Sequence, residues 1–315
     1  MAHVDTLRSE APAQETRGRY KRGEESGAGG WPRITVVTAV YNGEKYLEAT
    51  MRSVLEQGYP NLEYIIVNDG STDGTAEIIG RYEGWLAEII TQRNRGLYAA
   101  LNAGFARSAG QVMGWLNASD LLHLNGLFVV GSVFRAFREV EWITGRATKF
   151  NEQGMTVEVK DLPRWSRHRF LAGASRYIQQ ESTFWRRRLW ERAGGYVNEG
   201  FRAEGDFELW VRFFRHARLY PVDALIGGYR FHEDALSWSN RRGYDQTCDE
   251  IAAREALRMK SGAVRLVQRV SRAVKTIPKV RGLWQRGAMR ALYRMRGPDW
   301  PPVIEYGWDR WGLRK

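Results

Sequence analysis

Residues 34–75 read "ITVVTAVYNGEKYLEATMRSVLEQGYPNLEYIIVNDGSTDGT". An apolar β-rich run (34–40) gives way to a helix-like stretch, a second apolar run (62–69) and a turn rich in Gly, Ser, Thr and Asp. The same order continues through "GTAEIIGRY", "LAEIIT", "GLYAALNAGFARSA" and "QVMGWLN", ending at residue 117. This β-α-β-α-β-α-β succession predicts an α/β fold, a mostly parallel sheet covered by helices on both faces. Ligands of such sheets gather at the carboxyl ends of the strands. The polar residues to weigh are therefore Tyr41 and Asn42, Asp69 with "GSTDGT", Arg93 to Arg95, and Asn117 to Asp120.

With 315 residues, 43% hydrophobic and 12% aromatic, the chain can bury a substantial core. Its one cysteine, Cys248, excludes an intrachain disulfide and a cysteine-built zinc site, and it suits a reducing, cytoplasmic setting. No apolar run approaches the length of a membrane span, and residues 1–30 lack the continuous hydrophobic region of a secretory signal. Those thirty residues read as a disordered tail. The formal charge is +12, yet residues 1–250 carry 32 basic and 32 acidic side chains, so the excess belongs to residues 251–315, with 16 against 4. Basicity is thus confined to an appendage, the sequence has no recognised nucleic-acid motif, and nucleic acid is not expected as a partner. The single glycine of "AVYNGEKY" also argues against a dinucleotide-binding oxidoreductase, whose turn after the first strand is glycine-rich.

The middle, residues 141–232, mixes short strands with Arg- and Trp-rich loops and reads as an acceptor-side half. Within it, a helix predicted from about Glu204 to His216 aligns Asp206, Leu209, Trp210 and Phe213 at i, i+3, i+4 and i+7. Asp206 then sits in the first turn on the core-facing stripe, whereas Glu208 points off it.

The stretch "VVTAVYNGEKYLEATMRSVLEQGYPNLEYIIVNDGSTDGT" resembles the inverting, GT-A-fold glycosyltransferases of family 2. The resemblance continues through "NRGLYAALNAGFARSAGQVMGWLNASD", "IQQESTFWRRRLWERAGGYVNEGFRAEGDFELWVRF" and "GYRFHEDALS", covering about residues 33–238. It implies a GT-A domain over residues 31–240, followed by a basic helical extension over 241–315. The implied activity is transfer of a sugar from a nucleotide diphosphate donor to a hydroxyl of a glycan or lipid-linked acceptor, in cell-surface polysaccharide or lipid-linked glycan synthesis. The other reading is a catalytically weakened homologue that acts in binding or assembly.

Strand ends suit a pocket for a flat base, and the expected nucleotide-binding residues are Thr38, Ala39, Tyr41, Asn42, Asp69, Arg93, Arg95, Asn117 and Ser119. The resemblance assigns Asp69 to a uracil-like imide N–H, although "DGSTDGT" also reads as a helix N-cap in which Thr72 or Asp73 caps. Departure of a nucleotide diphosphate builds negative charge that a divalent cation, Mn2+ or Mg2+, offsets. Asp120 and His232 are the expected ligands. Relatives commonly carry two adjacent acids at this site, and here Ser119 stands in place of the first. A structural alternative has Asp120 capping a helix that starts near Leu124. The resemblance makes Asp206 the general base, with Glu204 and Glu208 as competitors, and a carboxylate at a helix N-terminus is expected to be a stabilised anion. Gln179, Gln180, Glu181 and Trp185 are expected on the acceptor side, although Trp185 reads equally as core. In the extension, residues 263–277 and 284–295 read as basic amphipathic helices suited to an anionic membrane surface at the inner face of the cell membrane.

Overall fold

The structure, a computed structural model, describes residues 30–173, 177–232, 241–259 and 300–314, together with Gly262, Arg265, Gln268 and Arg269. The expected tail over residues 1–29 and nearly all of the two amphipathic stretches lie outside the described residues.

Each apolar run of the first half forms a strand, and each intervening stretch a helix. These are β1 (Ile34–Val40), α1 (Leu47–Leu55), β2 (Leu62–Asn68), α2 (Thr75–Arg81), β3 (Glu88–Thr91), α3 (Leu97–Arg107) and β4 (Val112–Trp115). The main sheet continues with β6 (Trp142–Thr144), β9 (Thr183–Arg186) and β10 (Leu219–Pro221), in the order β10-β6-β9-β4-β1-β2-β3. β1 runs parallel to β2 and β4, and β10 parallel to β6, while β9 alone runs antiparallel to both its neighbours. Because strand side chains alternate, β1 sends Val37 and Ala39 to one face and Ile34, Val36 and Val40 to the other. The second face is covered by α1, α2 and α4 (Gly126–Ala136). The first is covered by α3, α6 (Arg187–Arg192), α7 (Gly205–Phe213) and α8 (Arg241–Arg258). Helices thus flank the sheet on both faces.

A second sheet, β5-β11-β7-β8, is built from β5 (Leu121–Leu122), β11 (Gly227–Arg230), β7 (Thr148–Phe150) and β8 (Thr156–Val159). Its antiparallel pairing of Gly228 with Leu121 brings the segment before β5 against the end of β11. Asp120 and Arg230 meet as a result.

Two expectations change. The tryptophans of residues 141–232 do not belong to open loops: Trp142, Trp185, Trp190 and Trp210 are buried with Trp115, Phe105 and Phe213 in one aromatic cluster. Trp115 and Trp210 stack at 5.9 Å and 9°. The extension over 241–315 is neither wholly helical nor a separate appendage. α8 buries Cys248, Ile251, Ala252 and Ala256 in the first core, and β12 (Val303–Tyr306) with β13 (Trp311–Arg314) forms a hairpin that buries Ile304 in the second. The cross-strand Tyr306–Trp311 pair favours that hairpin. Among the described residues, no helix is long and apolar enough to cross a membrane.

Candidate active site

The carboxyl edge of β4-β1-β2-β3 carries the expected nucleotide-binding residues, and its polar groups brace one another. Asn42, at φ 50, is in the left-handed region; its Oδ1 accepts from Thr72 N at 2.8 Å and its own N donates to Ser71 Oγ at 2.9 Å. Asp69 accepts from Gln92 Nε2 (2.6 Å), Arg95 N (3.0 and 3.1 Å) and Gly96 N (2.8 Å). Its carboxylate therefore ties β2 to the loop that opens α3. The N-cap of α2 is Gly74, without a side-chain capping bond; Asp73, one residue before it, braces the turn, its Oδ1 accepting from Thr75 N at 3.1 Å and its Oδ2 from Glu44 N. Tyr41 is exposed beside Asn42, and Arg93 and Arg95 are exposed on the loop that Asp69 holds. Thr38 is corrected. Its side chain is 0% exposed and bonds Tyr64 Oη at 3.0 Å, because its register on β1 points it into the α1 and α2 face. Ala39 faces the opposite core.

At the end of β4 the chain turns through Asn117, Ala118 and Ser119, closed by Asp120 N donating to Asn117 O at 3.0 Å. Thr50 of α1 clamps this turn, donating to Asp120 O and Ala118 O at 2.9 Å. Asp120 is 1% exposed; Oδ1 accepts from Arg230 N and Oδ2 from Asn117 Nδ2, both at 2.9 Å. It does not cap α4, which begins at Gly126 behind Asn125. Burial pushes Asp120 up to about 6 against those two hydrogen bonds. Beyond β11, the buried His232 ring lies 4.8 Å from the ring of Tyr46, over which Arg230 also sits at 4.9 Å. Asn117 Oδ1, next to the Asp120 carboxylate, is a buried acceptor with no hydrogen-bond partner among the described residues. Oxygen and imidazole donors suit a hard divalent cation. Among the described residues, however, no group of three His, Cys, Asp or Glu gathers as a metal cage. Asp120 and His232 are the protein donors on offer.

From the other side come the turn Gln180–Ser182 and the start of α7. Gln179 makes a strand-like pair with Thr148, accepting from its N and donating to its O at 2.7 Å, and also donates to Glu181 Oε1 at 2.6 Å. Gln180 Nε2 donates to Trp115 O. These amides position Glu181. Its buried carboxyl is pushed to about 8 by burial and by Asp120, with a smaller contribution from Asp206. Glu181 thus lies within the electrostatic reach of both acids.

Asp206 occupies the first turn of α7, whose N-terminus is fastened by Gly205 N donating to Tyr98 Oη at 3.0 Å. A Cβ at Gly205 would meet the Tyr98 ring at 2.6 Å, so glycine permits that approach. Tyr98 itself is in the first turn of α3, directly after the Asp69-held loop. The helix dipole predicts a stabilised Asp206 anion, but burial outweighs it and pushes the carboxyl up to about 7, against a hydrogen bond from Phe207 N and helped by Glu204. Glu208 turns away into an ion pair with Arg212 at 2.8 Å. Glu204 is buried and accepts from Ala203 N at 3.1 Å.

Trp185 takes the core reading. It is 0% exposed on β9, enclosed by Phe105, Trp115, Trp190, Trp210 and Phe213, so it supports the site from beneath. Tyr98 and Tyr46 are the participants that sequence reasoning missed. Both stand inside helix-like apolar stretches, and only their hydroxyl groups offered a signal.

Residues 35–128 match the Glycosyl transferase family 2 sequence model. A Bacillus subtilis glycosyltransferase ascribed to teichuronic acid biosynthesis is 30% identical over 133 residues, 41% of this chain and 49% of that one. The first curated relatives are covered over 34%, 49% and 64% of their own length, so the chain spans between about a third and two thirds of them. Among solved structures, S. aureus TarS in complex with UDP-GlcNAc superposes with a TM-score of 0.59 at 16% identity, over 71% of this chain and 66% of that one. A Pyrobaculum calidifontis mannosyltransferase in complex with GDP-Man and Mn2+ gives 0.53 at 18%, over 89% and 87%. These likenesses identify the fold as GT-A.

Proposed function

We propose, from the match of residues 35–128 to the Glycosyl transferase family 2 model, that the chain is an inverting transferase moving a sugar from a nucleoside diphosphate donor to a hydroxyl of a glycan or lipid-linked acceptor. The observation that carries the reading is Asp120 held after β4 at the carboxyl edge of the sheet by Arg230 N and Asn117, with the first turn of α7, which carries Asp206, fastened to α3 through Tyr98.

In this reading the ends of β1 to β4 bind the nucleotide, with Tyr41, Asn42, Asp69, Arg93, Arg95, Asn117 and Ser119 at or beside it. Asp69 contributes mainly by holding the Gln92–Gly96 loop. Asp120 and His232 would hold a divalent cation together with diphosphate and water oxygens, and such a cation offsets charge on the departing diphosphate. Asp206 takes the proton of the acceptor hydroxyl as its oxygen attacks the anomeric carbon. A base that titrates near 7 is matched to that task at neutral pH. A single displacement without a covalent intermediate inverts the anomeric carbon. Burial and the neighbouring Asp120 raise the affinity of Glu181 for a proton, which limits the negative charge beside those acids. The division in this reading is a tail (1–30), a transferase domain (31–240) and a basic extension (241–315) whose α8 and terminal hairpin pack on that domain, the charge of residues 251–315 being directed to an anionic membrane.

The test is a panel of nucleotide sugars, scored by thermal stabilisation and by sugar release or transfer with and without Mn2+. Stabilisation by a nucleoside diphosphate that needs the metal and is lost in Asp120→Ala supports the reading; equal stabilisation in EDTA contradicts the metal role. Ser119, standing where relatives commonly place an acid, favours a second reading of a weakened homologue. Nucleotide binding without turnover on any donor, recovered in Ser119→Asp, would establish that one.

A further inference from the structure

α7 presents Asp206 at one end, and at its other end opens a groove of about 1130 Å³ that none of the acids Asp120, Glu181 or Asp206 lines. The two ends are about 12 Å apart along the helix, eight residues at 1.5 Å each. The groove gathers cations from four elements, against two acids in its wall, Glu139 and Glu141: Arg167 at the start of α5 (Arg167–Leu171), Arg192 at the end of α6, Arg215 and Arg218 after α7, and Arg258 at the end of α8. Two of them, Arg167 and Arg215, share one carboxylate, Glu255, which is 2% exposed, at 2.5 and 2.7 Å. One buried charge serves two guanidinium groups, and positive charge remains. Arg192 pairs with Glu141, which Arg188 also engages. Arg218 and Arg258 are exposed, and among the described residues Arg258 enters no ion pair. His216, on the same wall, feels the result: its imidazole is pushed below the ordinary range by burial and then by Arg192 and Arg215, against a smaller opposite pull from Glu141.

The occupant has to be anionic. The chain's own following segment does not qualify, because residues 260–298 carry eleven Lys and Arg and no acid. A concave groove also fits a chain better than a flat bilayer. Exposed Tyr196 lines it beside the arginines, with Arg212 over one face of its ring at 4.4 Å. We propose that this groove holds the distal part of a glycan acceptor bearing phosphate or carboxylate groups, while the reacting hydroxyl reaches Asp206 at the opposite end of α7. The inference rests on the transferase reading for the word acceptor, but binding in the groove does not.

Binding of the full chain to a short dextran sulfate, a neutral dextran of equal length and phosphatidylglycerol vesicles tests it at fixed ionic strength. The variants are Arg218→Glu/Arg258→Glu, the charge-keeping Arg218→Lys/Arg258→Lys, and a control of equal charge change in the basic segment, Arg286→Glu/Arg290→Glu. Affinity for dextran sulfate should fall about tenfold or more in the first pair, as attractive charges become repulsive, and stay within about threefold in the other two. Arg218→Gln/Arg258→Gln reads the same loss with a smaller amplitude should the Glu pair fail to fold. An equal loss in the control, equal binding of neutral dextran, or a loss confined to vesicles would overturn the proposal. Binding of UDP with Mn2+ is followed in parallel: its absence in the parent would refute the transferase reading and leave the groove result standing.

Discussion

Two buried or half-buried carboxylates on opposite sides of the cleft are treated differently by their surroundings. Asp69, on the donor side, accepts from three donors through four contacts and holds a loop. Asp206, on the aromatic side, is served among the described residues only by backbone N–H groups of its own turn, Phe207 N at 2.7 Å among them, so burial dominates it. A carboxylate fully served by donors acts as a brace. One left underserved, beside other buried acids, keeps its affinity for a proton, and that is what a general base requires.

The comparison breaks most visibly at the aromatic support. Trp185→Ala should cost about 3–5 kcal/mol of unfolding free energy, the usual toll of removing a buried indole, because five other rings enclose it. Urea denaturation measures it. A cost below about 1 kcal/mol with a selective rise in acceptor KM would return Trp185 to the acceptor side. On the donor side, Asp69→Ala strands the N–H groups of Arg95 and Gly96 and the Gln92 amide, and should cost about 1–3 kcal/mol while loosening the loop. Nucleotide affinity should drop with it. Asp69→Asn separates the two contributions, since the smaller its loss, the less the charge matters. The smallest effect is expected from Thr38→Val, which removes the bond to Tyr64 for about 0.5–1.5 kcal/mol and leaves nucleotide affinity unchanged. A loss of nucleotide binding there would place Thr38 in the pocket after all.

The same asymmetry governs what the sequence reveals. β1 to β4 are legible because each apolar run is flanked by turn residues, and α7 because its apolar residues recur at helical spacing; the observed Gly205–Phe213 lies within the expected 204–216. Asp120 was legible as the acid that ends a strand. The fastening of Gln179 to Thr148 was not, and Trp185 stayed open between core and acceptor side, since both depend on β6, β7 and β9 meeting from distant parts of the chain. The hairpin Val303–Arg314 was obscured by the surrounding basic composition, and the arginine groove joins residues 167, 192, 215 and 258, which no local pattern connects.

The central claim is that Asp206 is the base, and its pH behaviour tests that claim most directly. Its carboxyl is raised in the folded protein, so the stability it contributes is full below the unfolded value near 4 and is lost as pH rises through about 7; activity runs the opposite way, rising as the anion forms. Transfer should therefore show an acidic limb centred near pH 7. Asp206→Asn should keep the fold and donor affinity, lose about 10²-fold or more in transfer, and abolish that limb. It should also unfold with a higher free energy than the parent at pH 8. Transfer at near the parent rate with the acidic limb intact, together with its collapse in Glu204→Gln, would contradict the account and move the base to Glu204.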